Sequence, residues 1–246
     1  MKFGLIGYPL GHSFSKSFFE EKFKKQGLFD FTYENFSLES IKSVEHILAS
    51  DHFGLNVTIP YKSAILKYLN ETDDVAFKIG AVNTLVRTSP KTWKGFNTDW
   101  SGFRESFISW IKGYPMPTSA LVLGTGGAAK AITYTLHQLG ISTFSVSSQG
   151  KGDYVYEVLT EELIRNHKLI INATPVGMMP DIDRAPLIPY EALTPDHWLY
   201  DLVYNPSNTL FLAQGSHRGA KTKNGLDMLQ LQAEHAWLIW KKYGKF

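Results

Sequence analysis

Residues 119–129 read Ser-Ala-Leu-Val-Leu-Gly-Thr-Gly-Gly-Ala-Ala, and the predicted fold follows from this stretch. Its apolar first half predicts a buried strand, and the glycines then open a segment with helical spacing that ends near Leu139. Glycines let the backbone turn tightly and approach a pyrophosphate, whose charge is stabilised by the free N–H groups at a helix start. The stretch therefore predicts a dinucleotide-binding turn, with a glycine-rich turn that binds no ligand as the alternative. The predicted cofactor contacts are Gly124, Thr125, Gly126, Gly127, Ala128 and Ala129.

The strand predicted next, at residues 143–147, bears on the choice of cofactor. In dinucleotide-binding folds an acidic residue about 20 residues after the glycines binds the ribose 2′-hydroxyl of NAD. No carboxylate ends this strand, and the loop contains Ser147, Ser148 and Lys151 instead. A carboxylate would repel the 2′-phosphate of NADP, so its absence favours NADP (NADPH), although Asp153 lies close in the sequence and a solvated turn has a similar composition.

Predicted strands and helices alternate on both sides of the glycine turn. One β-α-β pattern begins at residue 2 and a second begins at residue 119, after an amphipathic helix and the proline-rich segment 113–117. Parallel strands joined by helical crossovers are the expected arrangement. The predicted strands are 2–7, 31–36, 54–59, 82–87, 92–96, 119–124, 143–147, 169–173 and 198–202, and the predicted helices include 18–26, 40–50, 61–70, 101–113 and the C-terminal segment.

Two separate β-α-β patterns predict an α/β protein with two domains. We expect residues 1–100, completed by a helix at 226–246, to form an α/β substrate domain. Residues 101–225 are expected to form a Rossmann-type NAD(P)-binding domain, with the active site in the interdomain cleft.

Composition excludes several classes of protein. The chain has 246 residues, of which 43% are hydrophobic, and its formal net charge of +2 gives no reason to expect nucleic acid or an anionic membrane as a partner. It contains no cysteine, and the histidines lack the i, i+4 spacing of a helical zinc site, so no metal site is expected. Glycines and a proline interrupt the N-terminal apolar run, and no stretch approaches the roughly 18 apolar residues of a membrane span. We therefore expect a cytoplasmic protein that acts on a small molecule, as a monomer or homodimer.

Polar residues follow several strands of the first half directly. In parallel α/β sheets the carboxyl ends of the strands are where ligands bind, although each segment alone is also typical of ordinary turns. Together they supply hydroxyls, amides, a lysine and a carboxylate, which suit a small, polyhydroxylated, anionic substrate. The segments are 11–15, 56–62, 80–84 and 95–99.

The order of these motifs resembles that of the shikimate dehydrogenases over almost the whole chain. The pattern Gly-x-Pro-x-x-His-Ser-x-Ser occupies residues 7–15, and Asn-Val-Thr-x-Pro-x-Lys occupies 56–62. The other matching segments are 80–84, 95–102, 172–178, 201–206 and 225–232. This resemblance implies the reversible, NADPH-dependent reduction of 3-dehydroshikimate to shikimate, a step of aromatic amino-acid biosynthesis.

The resemblance also implies a role for individual residues. Lys62 and Asp99 match the catalytic pair, and Lys62 is the expected proton donor. Ser13 and Ser15 match the serines that bind the substrate carboxylate. The implied contacts to the ring hydroxyls are Thr58, Asn83, Asp99 and Gln232, and the implied contacts from the second domain are Thr174 and Met178 on the nicotinamide side, with Tyr204 and Gly225 closing the pocket.

Two departures from the family pattern leave other functions open. Lys16 replaces the usual proline after the second serine, and Ser148 stands where many members have an arginine that binds the 2′-phosphate. Lys151 could replace that arginine only as a point charge. The alternatives are a dehydrogenase that acts on quinate or another cyclic hydroxy acid with NAD, and a nucleotide-binding protein without turnover. The presence of both Lys62 and Asp99 speaks against the second.

Overall fold

The structure is a computed structural model, which describes residues 1–11, 13–244 and 246 in two compact units. Unit 1 consists of Met1–Thr98 and Gln232–Phe246, and unit 2 of Asp99–Leu231. The last helix, Leu226–Gly244, contributes residues to both units. The domain boundaries expected from the sequence assign that helix to one domain only, and they stay a prediction.

Unit 1 contains one mixed sheet. Its strands are β1 (Lys2–Gly7), β2 (Thr32–Ser37), β3 (Gly54–Val57), β4 (Glu71–Thr72), β5 (Thr84–Ser89) and β6 (Thr92–Phe96), in the order β2-β1-β3-β5-β6-β4. Strand β1 is parallel to β2 and β3, but β5 is antiparallel to both β3 and β6. The expectation of an all-parallel sheet was wrong here, because only residues 90 and 91 join β5 to β6 and a parallel pair needs a long crossover.

The helices of unit 1 differ from the expected ones, and one of them, Asp74–Ile79, was not predicted. They are α1 (Phe14–Lys25), α2 (Val44–Ala49), α3 (Asp74–Ile79) and the C-terminal part of the last helix. Helix α1 was expected from residue 18, but it begins at Phe14 because the Ser13 side chain caps it by accepting a hydrogen bond from Lys16 N. The helices expected at 40–50 and 61–70 are partly or wholly 3₁₀ turns, at Ile41–Ser43 and Ala64–Tyr68.

An aromatic core joins the last helix to the sheet of unit 1. Phe3, Phe19 and Trp240 are fully buried, and the ring centroids of Phe3 and Phe19 lie 4.7 Å and 5.0 Å from that of Trp240. The Trp240 indole donates a hydrogen bond to the Leu85 carbonyl over 2.9 Å. A Cβ at Gly54 would lie 2.4 Å from this indole, so β3 needs a glycine there.

Unit 2 contains a parallel sheet with a core on each face. Its strands are β7 (Ser119–Leu123), β8 (Ser142–Val146), β9 (Leu169–Asn172), β10 (Trp198–Asp201) and β11 (Lys221–Lys223), in the order β11-β10-β9-β7-β8. Its helices are α4 (Asp99–Ile111), α5 (Gly127–Gln138), α6 (Glu161–Asn166), α7 (Leu210–His217) and the start of α8 (Leu226–Gly244). Along β7, Ala120 and Val122 pack in one core and Leu121 and Leu123 in the other, as expected for a sheet covered on both faces. The expected α/β fold class with a Rossmann-type half is confirmed.

Within the part of the chain that the structure describes, none of the helices has both the length and the apolar character to cross a membrane.

Candidate active site

The predicted substrate residues of unit 1 lie where β1 and β3 end and where β5 begins. The backbone N–H of Thr58, just after β3, donates to the Ile6 carbonyl on β1 over 2.8 Å. The Lys62 carbonyl accepts from Val82 N over 2.7 Å, which ties the lysine to the segment that leads into Asn83. The antiparallel course of β5 thus places its amino end beside the carboxyl end of β3. Segments that are 20 residues apart in the sequence are brought together at one edge of the sheet.

Ser13 and Ser15 flank the start of α1, and both are half-buried. The Ser13 hydroxyl accepts from Lys16 N over 3.3 Å, and a hydroxyl that accepts one bond can still donate its proton. The positive end of the helix dipole favours an anion in front of these two hydroxyls. His12, in the same motif, lies outside the described residues.

Asn83 is the centre of a buried hydrogen-bond network. It is 3% exposed, and its Oδ1 accepts from the backbone N–H of Thr98 over 2.7 Å. Its Nδ2 donates to Thr98 Oγ1 over 2.9 Å and to Gln232 Oε1 over 3.2 Å. Asn83 and Gln232, which are far apart in the sequence, therefore present their amides side by side.

The predicted catalytic pair is divided between the two units. Lys62 is half-buried in unit 1, four residues after Thr58. Asp99 is 3% exposed and is the first residue of α4, at the start of unit 2. The partial positive charge at the start of a helix stabilises a carboxylate in that position.

The glycine turn of unit 2 has the geometry that a pyrophosphate needs. Gly124 has φ +108°, and a Cβ there would lie 3.1 Å from the Ala173 carbonyl and from Thr174 Cγ2. A Cβ at Gly126 would instead meet no atom of the described chain within 4 Å, so open space lies in front of the first turn of α5. These residues fit a bound dinucleotide, because the backbone N–H groups of that first turn lack helical partners.

The loop after β8 contains a carboxylate, Asp153, that is bound by the strand before it. Asp153 Oδ2 accepts from Ser145 N and from Ser145 Oγ, each over 2.7 Å, and these hydrogen bonds hold the pKa of Asp153 below its usual value. Ser147 is buried and accepts from Gln149 N over 3.1 Å. Ser148 and Lys151 are exposed. The carboxylate nearest to the end of β8 is therefore engaged by the strand itself.

A second polar network, which sequence reasoning missed, supports the loop after β9. Thr174 Oγ1 donates to Asn172 Oδ1 over 2.6 Å, and Asn172 Nδ2 donates to Asp201 Oδ1 over 2.9 Å. Asp201 is fully buried and also accepts from Val203 N and from Thr209 Oγ1. Burial raises the pKa of this carboxyl to about 6, against the opposing effect of its hydrogen bonds. The network fixes the loop that carries Thr174 to the end of β10.

We expect Asp201 to make stability depend on pH. Between about pH 4 and pH 6 the folded chain keeps a proton that the unfolded chain releases, so stability decreases as the pH rises through this range and then levels off. The Asp201→Asn variant lacks this titration. Urea unfolding at pH 4, 5, 6 and 7 tests it, and a wild-type-minus-variant difference that is constant with pH would contradict it.

The remaining predicted residues of unit 2 lie around the end of β10. A Cβ at Gly225 would lie 2.2 Å from the Leu202 carbonyl, so close backbone packing explains this glycine. Tyr204 is half-buried, and burial raises the pKa of its phenol, which is therefore neutral at neutral pH. Met178 is half-buried, and its N–H donates to the Pro175 carbonyl over 3.1 Å.

Four buried or partly buried polar residues that form side-chain hydrogen bonds were not predicted as site residues: Tyr33, Asn56, Asn172 and Asp201. Within the matched motifs, the only signal for them is a polar residue inside an apolar strand run, as at Asn56 in β3 and Asn172 in β9. Tyr33, whose buried phenol donates to Asn56 Oδ1 over 2.7 Å, carries no signal of this kind. In the described part of the chain, no group of three or more histidine, aspartate or glutamate side chains is arranged to hold a metal ion.

Comparison with known proteins identifies the family. The sequence model of the shikimate dehydrogenase substrate binding domain matches residues 5–85. The NADP(+) shikimate dehydrogenase of Desulforamulus reducens is 34% identical, with 96% of this chain and 88% of the relative covered. The enzyme of the same name from Methanocaldococcus jannaschii is 36% identical, with coverage of 96% and 90%.

Solved structures agree over both units. The shikimate 5-dehydrogenase of Thermus thermophilus, solved with NADP(H) and shikimate, matches with a TM-score of 0.86 at 30% identity, over 98% of this chain and 94% of that one. The quinate dehydrogenase of Corynebacterium glutamicum, solved with NAD, matches with a TM-score of 0.83 at 27% identity, over 100% and 94%. The identity to these relatives and the coverage of both chains show that the chain belongs to the shikimate dehydrogenase family.

Proposed function

We propose that this chain catalyses the reversible, NADP-dependent reduction of 3-dehydroshikimate to shikimate. The observation that carries the proposal is the convergence of Lys62, Asn83 and Gln232 at one edge of the unit 1 sheet, through the Lys62–Val82 and Asn83–Gln232 hydrogen bonds. Relatives that are named NADP(+) shikimate dehydrogenases support the choice of reaction and cofactor.

The substrate is held through its carboxylate and its ring hydroxyls. Ser13 and Ser15 donate to the carboxylate at the start of α1, where the helix dipole also favours a negative charge. The side chains proposed to contact the ring hydroxyls are Thr58, Asn83 and Gln232, together with Asp99 and Tyr204 from unit 2. The buried network around Asn83 holds its amide in one orientation, and this preorganisation favours a substrate with hydroxyls in matching positions.

Reduction of the ring ketone requires a hydride at carbon and a proton at oxygen. NADPH supplies the hydride when it is bound, so the chain has to supply the proton. We assign this step to Lys62, whose ammonium donates to the carbonyl oxygen as the alkoxide develops. Asp99 orients the substrate hydroxyl and the lysine.

The proposed cofactor site is formed by residues 124–129, with Thr174, Met178 and Gly225 as further contacts. The first turn of α5, in front of Gly126, would hold the pyrophosphate through hydrogen bonds from its backbone N–H groups. Ser147, Ser148 and Lys151 are the residues that would contact the 2′-phosphate. Ser145 N and Oγ both donate to Asp153 Oδ2, so this carboxylate is held against its own strand, where it stays ionised.

We expect the preference for NADP to be modest and sensitive to salt. Lys151 is exposed and contributes a point charge without the paired hydrogen bonds of a guanidinium. Lys151→Ala should lower kcat/KM for NADP by up to roughly fivefold at low salt and leave that for NAD unchanged, while Lys151→Arg should raise the preference. Steady-state kinetics with both cofactors at 20 mM and 500 mM salt measure this. A preference for NADP that responds to neither salt nor Lys151 would contradict the assignment.

Absorbance at 340 nm with shikimate or quinate and with NADP or NAD tests the proposed reaction. We expect the highest kcat/KM for shikimate with NADP. Folded protein that reduces neither cofactor with shikimate would refute the proposal. A higher kcat/KM for quinate with NAD would instead favour the activity that the quinate dehydrogenase relative is named for.

The proposed partners are small molecules only. We propose that the enzyme acts in the cytoplasm as a monomer or homodimer. Its formal charge of +2 provides little attraction to nucleic acid or to anionic membranes. Size-exclusion chromatography with light scattering distinguishes the two oligomeric states.

A further inference from the structure

Thr98, the residue directly before α4, is buried beside Asn83. Strands β5 and β6 are antiparallel, with Thr84 opposite Phe96, so the residues that follow β6 lie next to the residue that precedes β5. The backbone N–H of Asn83 donates to the Phe96 carbonyl over 3.0 Å and extends this pairing. Thr98 is 2% exposed, so its side chain faces protein groups. It lies in the matched segment 95–102, but the resemblance gives it no role.

Thr98 binds both ends of the Asn83 amide. Its backbone N–H donates to Asn83 Oδ1 over 2.7 Å, and its Oγ1 accepts from Asn83 Nδ2 over 2.9 Å. A backbone N–H can only donate, so the oxygen of the Asn83 amide has to face it and the nitrogen has to face the hydroxyl. A flipped amide would bring two donors together in a buried place. Thr98 therefore gives the Asn83 side chain a single orientation.

The same contacts extend to Gln232 on the last helix. Gln232 Oε1 accepts from Asn83 Nδ2 over 3.2 Å and lies 3.5 Å from Thr98 Oγ1. The single proton of the Thr98 hydroxyl is donated to an amide oxygen, either that of Gln232 or that of Asn83, 3.2 Å away. Because Thr98 fixes Asn83 Nδ2 as a donor, Gln232 has to present its oxygen to this pair. The orientation of the second amide thus follows from that of the first.

On the basis of the proposed function, we propose that Thr98 is a positioning residue that orients the Asn83 and Gln232 amides for the ring hydroxyls of the substrate. The Thr98 hydroxyl is buried and acts through these two side chains. A side-chain amide that rotated freely would have to be ordered when the substrate binds, and this ordering would cost affinity. Thr98 orders both amides before the substrate arrives, so its effect falls on binding.

Substitution of Thr98 by valine removes the hydroxyl and keeps the backbone N–H that binds Asn83 Oδ1. We expect Thr98→Val to raise the Kd and the KM for shikimate by roughly five- to thirtyfold, the effect of one or two buried hydrogen bonds, and to change kcat by less than about threefold. Thr98→Ala removes the hydroxyl without adding a methyl group in its place and should change the Kd in the same direction. Thr98→Ser keeps the hydroxyl, so its Kd should stay within about threefold of the wild type.

Thr135→Val is the matched control. Thr135 is fully buried on α5 in unit 2, and its hydroxyl donates to the carbonyls of Ala131 and Trp100 over 2.8 Å and 3.1 Å. The control makes the same exchange of atoms at a residue that has no contact with Asn83 or Gln232. It should lower the melting temperature, as Thr98→Val should, because buried hydrogen bonds are lost in both. The Kd for shikimate should change only in Thr98→Val.

Calorimetric titration of shikimate into four proteins separates positioning from a loss of stability: wild type, Thr98→Val, Gln232→Ala and the double variant. If Thr98 acts partly through Gln232, the two substitutions are not additive. Thr98→Val should then raise the Kd by a factor at least about two times smaller in the Gln232→Ala background than in the wild type. A merely structural role predicts the same factor in both backgrounds and no rescue by serine.

Each outcome of these titrations decides the question. A Kd for Thr98→Val and Thr98→Ala close to that of the wild type, a Thr98→Ser variant as weak as Thr98→Val, or equal factors in the two backgrounds would overturn the positioning role while leaving the proposed function intact. Folded wild-type protein that binds no shikimate would refute the proposed function, and the inference with it.

Discussion

Replacement of Lys62 by alanine is expected to lower kcat by 10² to 10⁴-fold and to change the KM for shikimate far less. The lysine chiefly transfers a proton in the transition state, and loss of such a group typically has this magnitude. Lys62→Arg keeps the positive charge, but a guanidinium does not give up its proton near neutral pH, so kcat should fall here too. Steady-state kinetics in both reaction directions measure these changes.

Lys67→Ala is the matched control for this prediction. Lys67 is exposed and lies five residues further along, in the 3₁₀ turn Ala64–Tyr68, so the control makes the same change of charge in the same region. It should leave kcat within twofold of the wild type. Near wild-type turnover by Lys62→Ala would show that another group donates the proton.

Replacement of Gly126 by valine is expected to weaken NADP binding at least 100-fold while the chain stays folded. Gly126 has φ −74° and ψ −178°, which any L residue adopts, and a Cβ there meets no atom of the described chain within 4 Å. The added side chain occupies the space that we assign to the pyrophosphate and prevents several charge-assisted hydrogen bonds to the first turn of α5. Titration calorimetry with NADP measures the loss, and shikimate binding serves as the internal control.

Gly124→Ala provides the contrast for this substitution. Gly124 has φ +108° and a Cβ there would crowd the Ala173 carbonyl, so this variant should lose stability as well as cofactor affinity. If Gly126→Val bound NADP normally, the pyrophosphate would not lie in front of α5.

The parallel sheet of unit 2 could be predicted well from the sequence because its strands are continuous apolar runs. Residues 119–124 and 169–173 were predicted as strands, and the structure has Ser119–Leu123 and Leu169–Asn172. Such runs are typical of strands that are buried on both faces. The turn after β7 was equally clear, because strand, glycines and helix occur in the order that a pyrophosphate site requires.

Strand direction in unit 1 could not be predicted in the same way. The expected strand at 92–96 is observed, but apolar patterning specifies which face of a strand is buried and not which neighbour it pairs with. The short turn between β5 and β6 was the available signal for an antiparallel pair. The early start of α1 likewise depended on Ser13, a residue to which the motif assigned only a role in substrate binding.

The buried polar networks could be predicted least of all. The Tyr33–Asn56 bond joins residues 23 positions apart, and the Asn83–Gln232 bond joins residues 149 positions apart. Side-chain hydrogen bonds of this kind depend on tertiary contacts, and neither periodicity nor local spacing reports them. Family motifs located Asn83 and Gln232, but no motif pointed to Tyr33, and the function of Asp201 in fixing the loop after β9 became visible only through its partners.

The transfer of deuterium from shikimate to NADP tests whether the chain carries out the proposed hydride transfer. Shikimate that carries deuterium on the carbon corresponding to the ketone of 3-dehydroshikimate is incubated with the protein and NADP, and the mass of the resulting NADPH is measured. We expect NADPH that is one mass unit heavier, together with one equivalent of 3-dehydroshikimate. Folded protein that forms no NADPH, or NADPH without deuterium, would contradict it.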